Sequence, residues 1–200
     1  MGQRHEGHVF MPNKYVFPGG RVEVDDGRLP LARDADPITR QKLMQSMRGR
    51  PSQARARGLA VAAVRETFEE TGLLVGRQTS NEAPDISHLV YFARAITPHA
   101  RSRRFDSRFF VADARAVSNL DAPLKLATPE LLRLEWVSMA EALKLDLPSI
   151  TRDILGLLQP QLEQRKLPPK DCPVTFHRTR GKSWVVDSIA FSQNLTFPVG

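Results

Sequence analysis

Arg65-Glu66-Thr67-Phe68-Glu69-Glu70-Thr71-Gly72-Leu73 is the stretch on which the reading of this chain turns. Successive residues of a helix advance by about 100°, so Glu66, Glu69 and Glu70, at i, i+3 and i+4, fall on one narrow face. Like charges placed this way repel one another. Either the face is simply solvated, or a cation sits over it. Hard divalent ions take oxygen ligands, which points to Mg2+ or Mn2+ as the guest. Gly72 closes the helix where a left-handed C-cap favours glycine.

The helix extends backward from this stretch. Ser52 is a fitting N-cap, and the helix is expected over residues 53–71. Val61, Val64 and Phe68 space by three and four and give it a core face, with the carboxylates on another side. Gly58 weakens its first half, at a cost of about 1 kcal/mol relative to Ala. Before it, residues 39–47 suit a short helix with Leu43, Met44 and Met47 facing inward, and residues 29–37 read as loop. Asp25-Asp26-Gly27-Arg28 is a turn. Residues 8–17 alternate as a strand broken at Pro12, Tyr15-Val16-Phe17-Pro18-Gly19-Gly20 ends in a glycine turn, and Val22 and Val24 continue an extended piece.

After the helix, strands are expected at 86–96, 108–112 and 131–137, with helices at 139–145 and 148–158. Beyond Pro160 the chain is Pro-rich and polar, then mildly extended at 184–191. This tail is expected to be an arm, an extra strand or partly disordered. The mixture of strands with a few helices reads as α+β or a mixed-sheet sandwich.

The acidic stretch resembles the second half of the Nudix box, G-x5-E-x7-R-E-U-x-E-E-x-G-U with U aliphatic. Gly20 matches its first glycine, and Arg65, Glu66, Glu69, Glu70, Gly72 and Leu73 match the rest. Three departures stand out. Thr67 occupies an aliphatic position, and Arg57 stands eight residues before Arg65, where the box has its first glutamate. Gly20 and Arg65 are also 45 positions apart where the box allows 14, so 31 residues are inserted.

That insertion resembles a Nudix branch that includes peroxisomal coenzyme A diphosphatases. Phe17-Pro18-Gly19-Gly20-Arg21-Val22, Ala63-Val64-Arg65-Glu66-Thr67-Phe68-Glu69-Glu70 and Arg104-Phe105-Asp106-Ser107-Arg108-Phe109-Phe110 look like the same branch. The coenzyme A signature that flanks the box there is not evident here. The resemblance covers roughly residues 4–160 and implies an α+β, Nudix-type α/β/α sandwich with a mixed sheet. It organises the chain as a domain at 1–160, with the insertion at about 26–51 and a C-terminal extension at 161–200. Such domains carry a strand well before the glycine turn. Here Met1-Gly2-Gln3-Arg4-His5 looks like the end of one, so either the start is truncated or another segment completes the sheet.

The resemblance implies metal-dependent hydrolysis of a pyrophosphate linked to another moiety. Glu66, Glu69 and Glu70 would hold Mg2+ or Mn2+, the Gly20 carbonyl would complete the shell, and Arg65 would orient a neighbouring carboxylate. Arg21, Arg4, Arg104 and Arg108 are the phosphate-contact candidates, Arg21 first because it follows the glycine turn. The substrate expectation is coenzyme A or its acyl esters. Alternatives are ADP-ribose, a dinucleotide or a nucleotide sugar, and RNA 5′ ends. A catalytically silent ligand-sensing module is the reading from another class.

Composition bounds these readings. Two hundred residues suit one domain with a full core. The formal charge of +7 favours polyanionic partners: a small phosphate-rich substrate first, nucleic acid second. The cations are scattered, with knots at Arg48-Gly49-Arg50, Arg55-Ala56-Arg57, Arg101-Ser102-Arg103-Arg104 and Arg178-Thr179-Arg180, and form no helical stripe. No apolar run approaches a membrane span and no signal peptide opens the chain. One cysteine, Cys172, leaves no internal disulfide and fits a cytoplasmic protein. His5 and His8, at i, i+3 in an expected strand, do not suit a metal pair. His88, His99 and His177 read as isolated. The missing early strand leaves a sheet edge, and a homodimer is expected from it. The insertion, with Leu43, Met44 and Met47, is expected to form an apolar wall against the non-phosphate half of the substrate.

Overall fold

The structure is a computed structural model that describes residues 1–7, 11–98, 103–125 and 131–192. His8, His99, Arg101 and the last eight residues lie outside the described residues. In chain order the elements are β1 (Gly2–Arg4), β2 (Tyr15–Val16), α1 (Pro37–Met44), α2 (Gln53–Thr71), β3 (Val90–Ile96), β4 (Asp106–Val111), β5 (Leu131–Leu134), α3 (Met139–Ala142), α4 (Ser149–Glu163), β6 (Val174–Arg180) and β7 (Ser183–Ile189).

The strands form two sheets. The small one runs β2-β1-β5 and the larger one β4-β3-β6-β7. In the larger sheet β3 pairs antiparallel with β4 and parallel with β6, so the sheet is mixed. Its β3 strand is buried along almost its whole length because helices cover both faces. On one face Leu43, Met44 and Met47 pack with Ala56, Tyr91, Val174, Phe176 and Ile189. The same face continues through Ala60, Val61 and Val64 of α2. On the other face Ile154 and Leu158 of α4 pack on Val90 and Phe92. This is the expected α+β sandwich, a mixed sheet between helices.

The C-terminal segment adds to the larger sheet. β6 and β7 form a hairpin, paired from Val174↔Ile189 to Arg180↔Ser183, that enters the sheet beside β3. Of the outcomes expected for the tail, the extra strand is the one seen: β6 lies beside β3, and β7 is the edge strand, buried only at Ile189. The start also pairs: Gly2↔Val16 and Gly2↔Leu134 place β1 between β2 and β5.

Helix α1 spans Pro37–Met44, so it ends before Met47 where the expected helix ran to residue 47, and it does a different job from the one expected. Leu43, Met44 and Met47 are buried against the sheet, so they are core residues and not a wall open to a ligand. Lys42 is buried beside them. Its Nζ donates to the carbonyls of Tyr91 (3.2 Å), Lys170 (2.7 Å) and Cys172 (2.8 Å), satisfying all three donors. Burial pushes the Lys42 ammonium below its ordinary pKa. Gln41 and Gln45 bond the chain just after β7, through Ser192 and Ala190. The insertion thus fastens the C-terminal hairpin to the sheet.

Other differences are local. Val22 precedes the turn at 24–28 and Val24 opens it, and they are 46 % and 83 % exposed, because no strand pairs with them. Residues 11–14 form turns, with Met11 and Asn13 at positive φ, so the strand expected through them is reduced to Tyr15–Val16. The third downstream strand stops at Leu134, short of Trp136. No helix of the described residues is long and apolar enough to cross a membrane.

Candidate functional site

Helix α2 positions the site. Ser52 accepts from the Arg55 N–H at 3.2 Å and opens the helix at Gln53. Gly72 closes it at φ 74°, its N–H returning to Phe68 O at 2.8 Å, in the left-handed region where L side chains are strained. Gly58 has a packing reason in mid-helix: a Cβ there would sit 3.2 Å from Gly27 N and 3.3 Å from Val22 Cγ1. The chain after the glycine turn therefore lies directly on the α2 backbone. Thr67 satisfies its hydroxyl within the helix, donating to Ala63 O at 2.7 Å.

The glycine turn meets the last two turns of α2. Gly19 N–H donates to Glu70 Oε2 at 2.9 Å. Gly20 lies so close to Glu66 that a Cβ would collide with its carboxylate. Glu70 is buried, and the Glu69 side chain is the open one at 46 % exposure. The inserted residues therefore loop out between two segments that remain in contact.

Arg65 organises the carboxylates. Its Nε and Nη2 bond Asp26 at 2.9 and 3.1 Å, and its Nη1 bonds Glu66 at 3.0 Å and Glu69 at 2.8 Å. Its Nη2 also reaches Arg21 O at 2.8 Å. The hydrogen bonds to Asp26, then the charges of Asp26, Glu66 and Glu69, hold the guanidinium above its ordinary pKa against the opposing effect of burial. Arg65 is thus a fixed cation that orients its neighbours.

Asp26 is the member that the sequence reading missed. It is 4 % exposed, accepts bidentately from Arg65, and closes its own turn by accepting from Glu23 N–H at 2.7 Å. The signal was available: Asp26 stands six residues after Gly20, the interval at which the box places its first glutamate. Counting backward from Arg65 lands on Arg57 only because the insertion intervenes. Arg57 instead donates to the Leu29 carbonyl and ties the inserted loop to α2.

The structure brings Gly20, Arg21, Arg65, Glu66, Glu69 and Glu70 together. The other arginine candidates have different surroundings. Arg4 lies on β1 in the small sheet. Arg104 is exposed and bonds Thr97 O at 3.4 Å. Arg108 turns into the core, where it pairs with Asp106 Oδ1 at 3.1 Å beside the buried Arg94–Asp106 pair, and burial lowers its pKa. A guanidinium committed to a neighbouring carboxylate is poorly placed for a phosphate.

The donor set suits a hard divalent cation. It is all oxygen, and the glycine turn lies in Cβ-excluding contact with a carboxylate. Among the described residues no three His, Cys, Asp or Glu side chains converge into a ready-made cage. Arg65 draws Glu66 and Glu69 toward itself, and Gly19 holds Glu70. Loading the site would require some of these carboxylates to turn.

Comparison with known proteins bears on the family and the fold. The model of the NUDIX domain matches residues 47–158, over half of the chain. A relative named "Putative nudix hydrolase 7" from Caenorhabditis elegans is 26 % identical over 158 residues, 66 % of this chain and 43 % of that protein. The chain thus spans less than half the length of that relative. The crystal structure of a NUDIX hydrolase from Alicyclobacillus acidocaldarius superposes with a TM-score of 0.59 at 21 % identity, over 84 % of this chain and 88 % of that one. With its mixed sheet between helices and the matched segment running from before α2 into α4, the chain belongs to the Nudix family.

Proposed function

We propose that the protein hydrolyses the pyrophosphate bond of a nucleoside diphosphate linked to another moiety, with Mg2+ or Mn2+ at Glu66, Glu69, Glu70 and the Gly20 carbonyl. The observation that carries this is the closure of the Gly19–Gly20 turn onto Glu66 and Glu70 across a long insertion. Water attacks one phosphorus, the bridging P–O bond breaks, and a phosphate-bearing group leaves. A carboxylate of α2 takes the proton from the water. Arg65 and Asp26 restrain that carboxylate set, and Arg21 faces the phosphates. A divalent cation bound there supplies positive charge against the phosphate oxygens and activates water.

Coenzyme A or an acyl-coenzyme A is the substrate favoured by the likeness of residues 17–22, 63–70 and 104–110 to the long-insertion branch. Residues 1–160, with the insertion at about 26–51, carry the chemistry in this reading, and β6 and β7 of the extension complete the sheet. One observation favours the silent-module reading: the carboxylates are held by Arg65 and Gly19 rather than gathered as a cage. Assay of the chain with coenzyme A, ADP-ribose, a diadenosine polyphosphate and 5′-triphosphorylated RNA, with Mg2+, Mn2+ or chelator, tests all of these. Cation-dependent cleavage of coenzyme A is expected. Cleavage of ADP-ribose or RNA alone moves the substrate assignment, and no cleavage of any of them contradicts catalysis.

A further inference from the structure

Trp136 is 61 % exposed, an unusual display for the largest apolar side chain, and no ring stacks on it among the described residues. It stands in an open depression of about 650 Å3 with Leu120, Asp121, Pro123, Leu134 and Glu135. The other tryptophan, Trp184, leans on the buried His177 ring at 6.1 Å. Trp136 is therefore the one presented to a cavity.

Both walls of the depression are tied to the carboxylate end of α2. The segment carrying Leu120, Asp121 and Pro123 is anchored at each side. Asn119 accepts from Leu74 N–H at 2.7 Å and donates to Gly72 O at 3.0 Å, and Lys125 N–H bonds Thr71 O at 3.1 Å. Thr71 directly follows Glu70. The other wall, at Leu134–Trp136, follows β5, which pairs with β1 and through it with β2. Three residues after β2, Gly19 bonds Glu70. From Leu134, two strand spacings, three extended residues and the Gly19–Glu70 bond bound the separation from the Glu70 carboxylate at roughly 23 Å, and Trp136 lies up to about 7 Å further along the chain.

We propose that this depression is the nucleobase subsite of the substrate and that it takes an aminopurine. This rests on the pyrophosphohydrolase reading above. Trp136 supplies the stacking face, with Leu120 and Leu134 beside it. Asp121 is a hydrogen-bond acceptor only, and Glu135, one oxygen of which pairs with Arg133 Nε at 2.8 Å, has its second oxygen as a further acceptor, so they suit a base that presents an exocyclic amine and not a carbonyl alone. Such a base is the purine half of a nucleoside diphosphate whose pyrophosphate lies over α2.

The chain has only these two tryptophans, so Trp184→Phe leaves Trp136 as the sole indole. In that variant AMP should quench the fluorescence saturably, ribose 5-phosphate should not, and UMP should do so only at much higher concentration. With coenzyme A, or whichever adenine-bearing substrate the parent cleaves, Trp136→Ala should raise KM roughly tenfold or more, the scale of one lost base stack. It should leave kcat within about twofold, as for uniform binding, and Trp136→Phe should restore KM. Equal quenching by ribose 5-phosphate, or a Trp136→Ala variant with unchanged KM, would overturn the subsite. The quenching arm needs no turnover, so quenching without hydrolysis would refute the catalytic reading and keep the base site. Hydrolysis without quenching would do the reverse.

Discussion

Helix α2 and the β6–β7 hairpin meet the same sheet, yet they are encoded in different ways. Every feature of α2 is local: Ser52 caps it, Gly72 stops it, and the spacing of Val61 and Val64 chooses its inner face. The hairpin is the opposite. Its strand β6 lies parallel to β3, some eighty residues earlier in the chain, and it is fixed in place by the inserted helix through Lys42, Gln41 and Gln45. The difference separates what the chain uses for chemistry from what it uses to hold the chemistry still. The carboxylates stand on the locally encoded helix, and the far half of the sheet relies on contacts between the insertion and the tail.

Removing residues from Val174 onward should break the comparison most severely. Val174, Phe176 and Ile189 are buried, and each contributes about 1.5–3 kcal/mol of burial. Their loss, with a whole strand ladder beside β3, should exhaust a typical stability of about 5–15 kcal/mol. No cooperative melt is expected by circular dichroism, and a normal melt would make the hairpin an accessory. Next in size is Lys42→Met, which strands three buried carbonyls. At about 1 kcal/mol for each lost hydrogen bond, chemical denaturation should show a loss of about 3 kcal/mol. The KM and kcat of the folded fraction should be unchanged, because Lys42 bonds β3 and the segment leading into β6 and not the carboxylates of α2.

Asp26→Asn sharpens the other side of the comparison. It removes the charge that anchors Arg65 while leaving α2 and its caps intact, so kcat should fall by about tenfold or more, as when a supporting residue of a metal site is lost. A variant with full kcat would mean that Arg65 is held well enough by Glu66 and Glu69 alone. The smallest effect is on pH dependence. Burial depresses the pKa of His177 on β6, and of His88, below the ordinary 6.5. The unfolded chain then takes up protons more readily, so stability holds above pH 6.5 and declines as pH falls below it. The melting temperature of His177→Gln should depend less on pH in that window than that of the parent.

The boundaries of α2, its caps and its acidic face were all legible in the sequence, since each depends on residues within a few positions of one another. Asp26 was obscured by the insertion, which separates two halves of one motif that remain in contact in space. Leu43, Met44 and Met47 were correctly placed on an inward face, but residue type cannot say whether an apolar face meets a sheet or a ligand. The hairpin gave only weak strand signals, because its value lies in nonlocal pairing with β3. Trp136 stood within an expected strand, and only the end of β5 at Leu134 shows that it is presented to solvent.

The central claim is that the α2 carboxylates hold a divalent cation for pyrophosphate hydrolysis, and Glu70→Gln tests it most directly. The substitution keeps size and an acceptor for the Gly19 N–H, so the fold should be retained. Activity on the substrate cleaved by the parent should fall by about two orders of magnitude or more, the scale of losing a stabiliser of transition-state charge. Added Mg2+ should raise the melting temperature of the parent more than that of the variant, since only a ligand bound to the folded state stabilises it. A Glu70→Gln protein with full activity and a full response to Mg2+ would contradict the account.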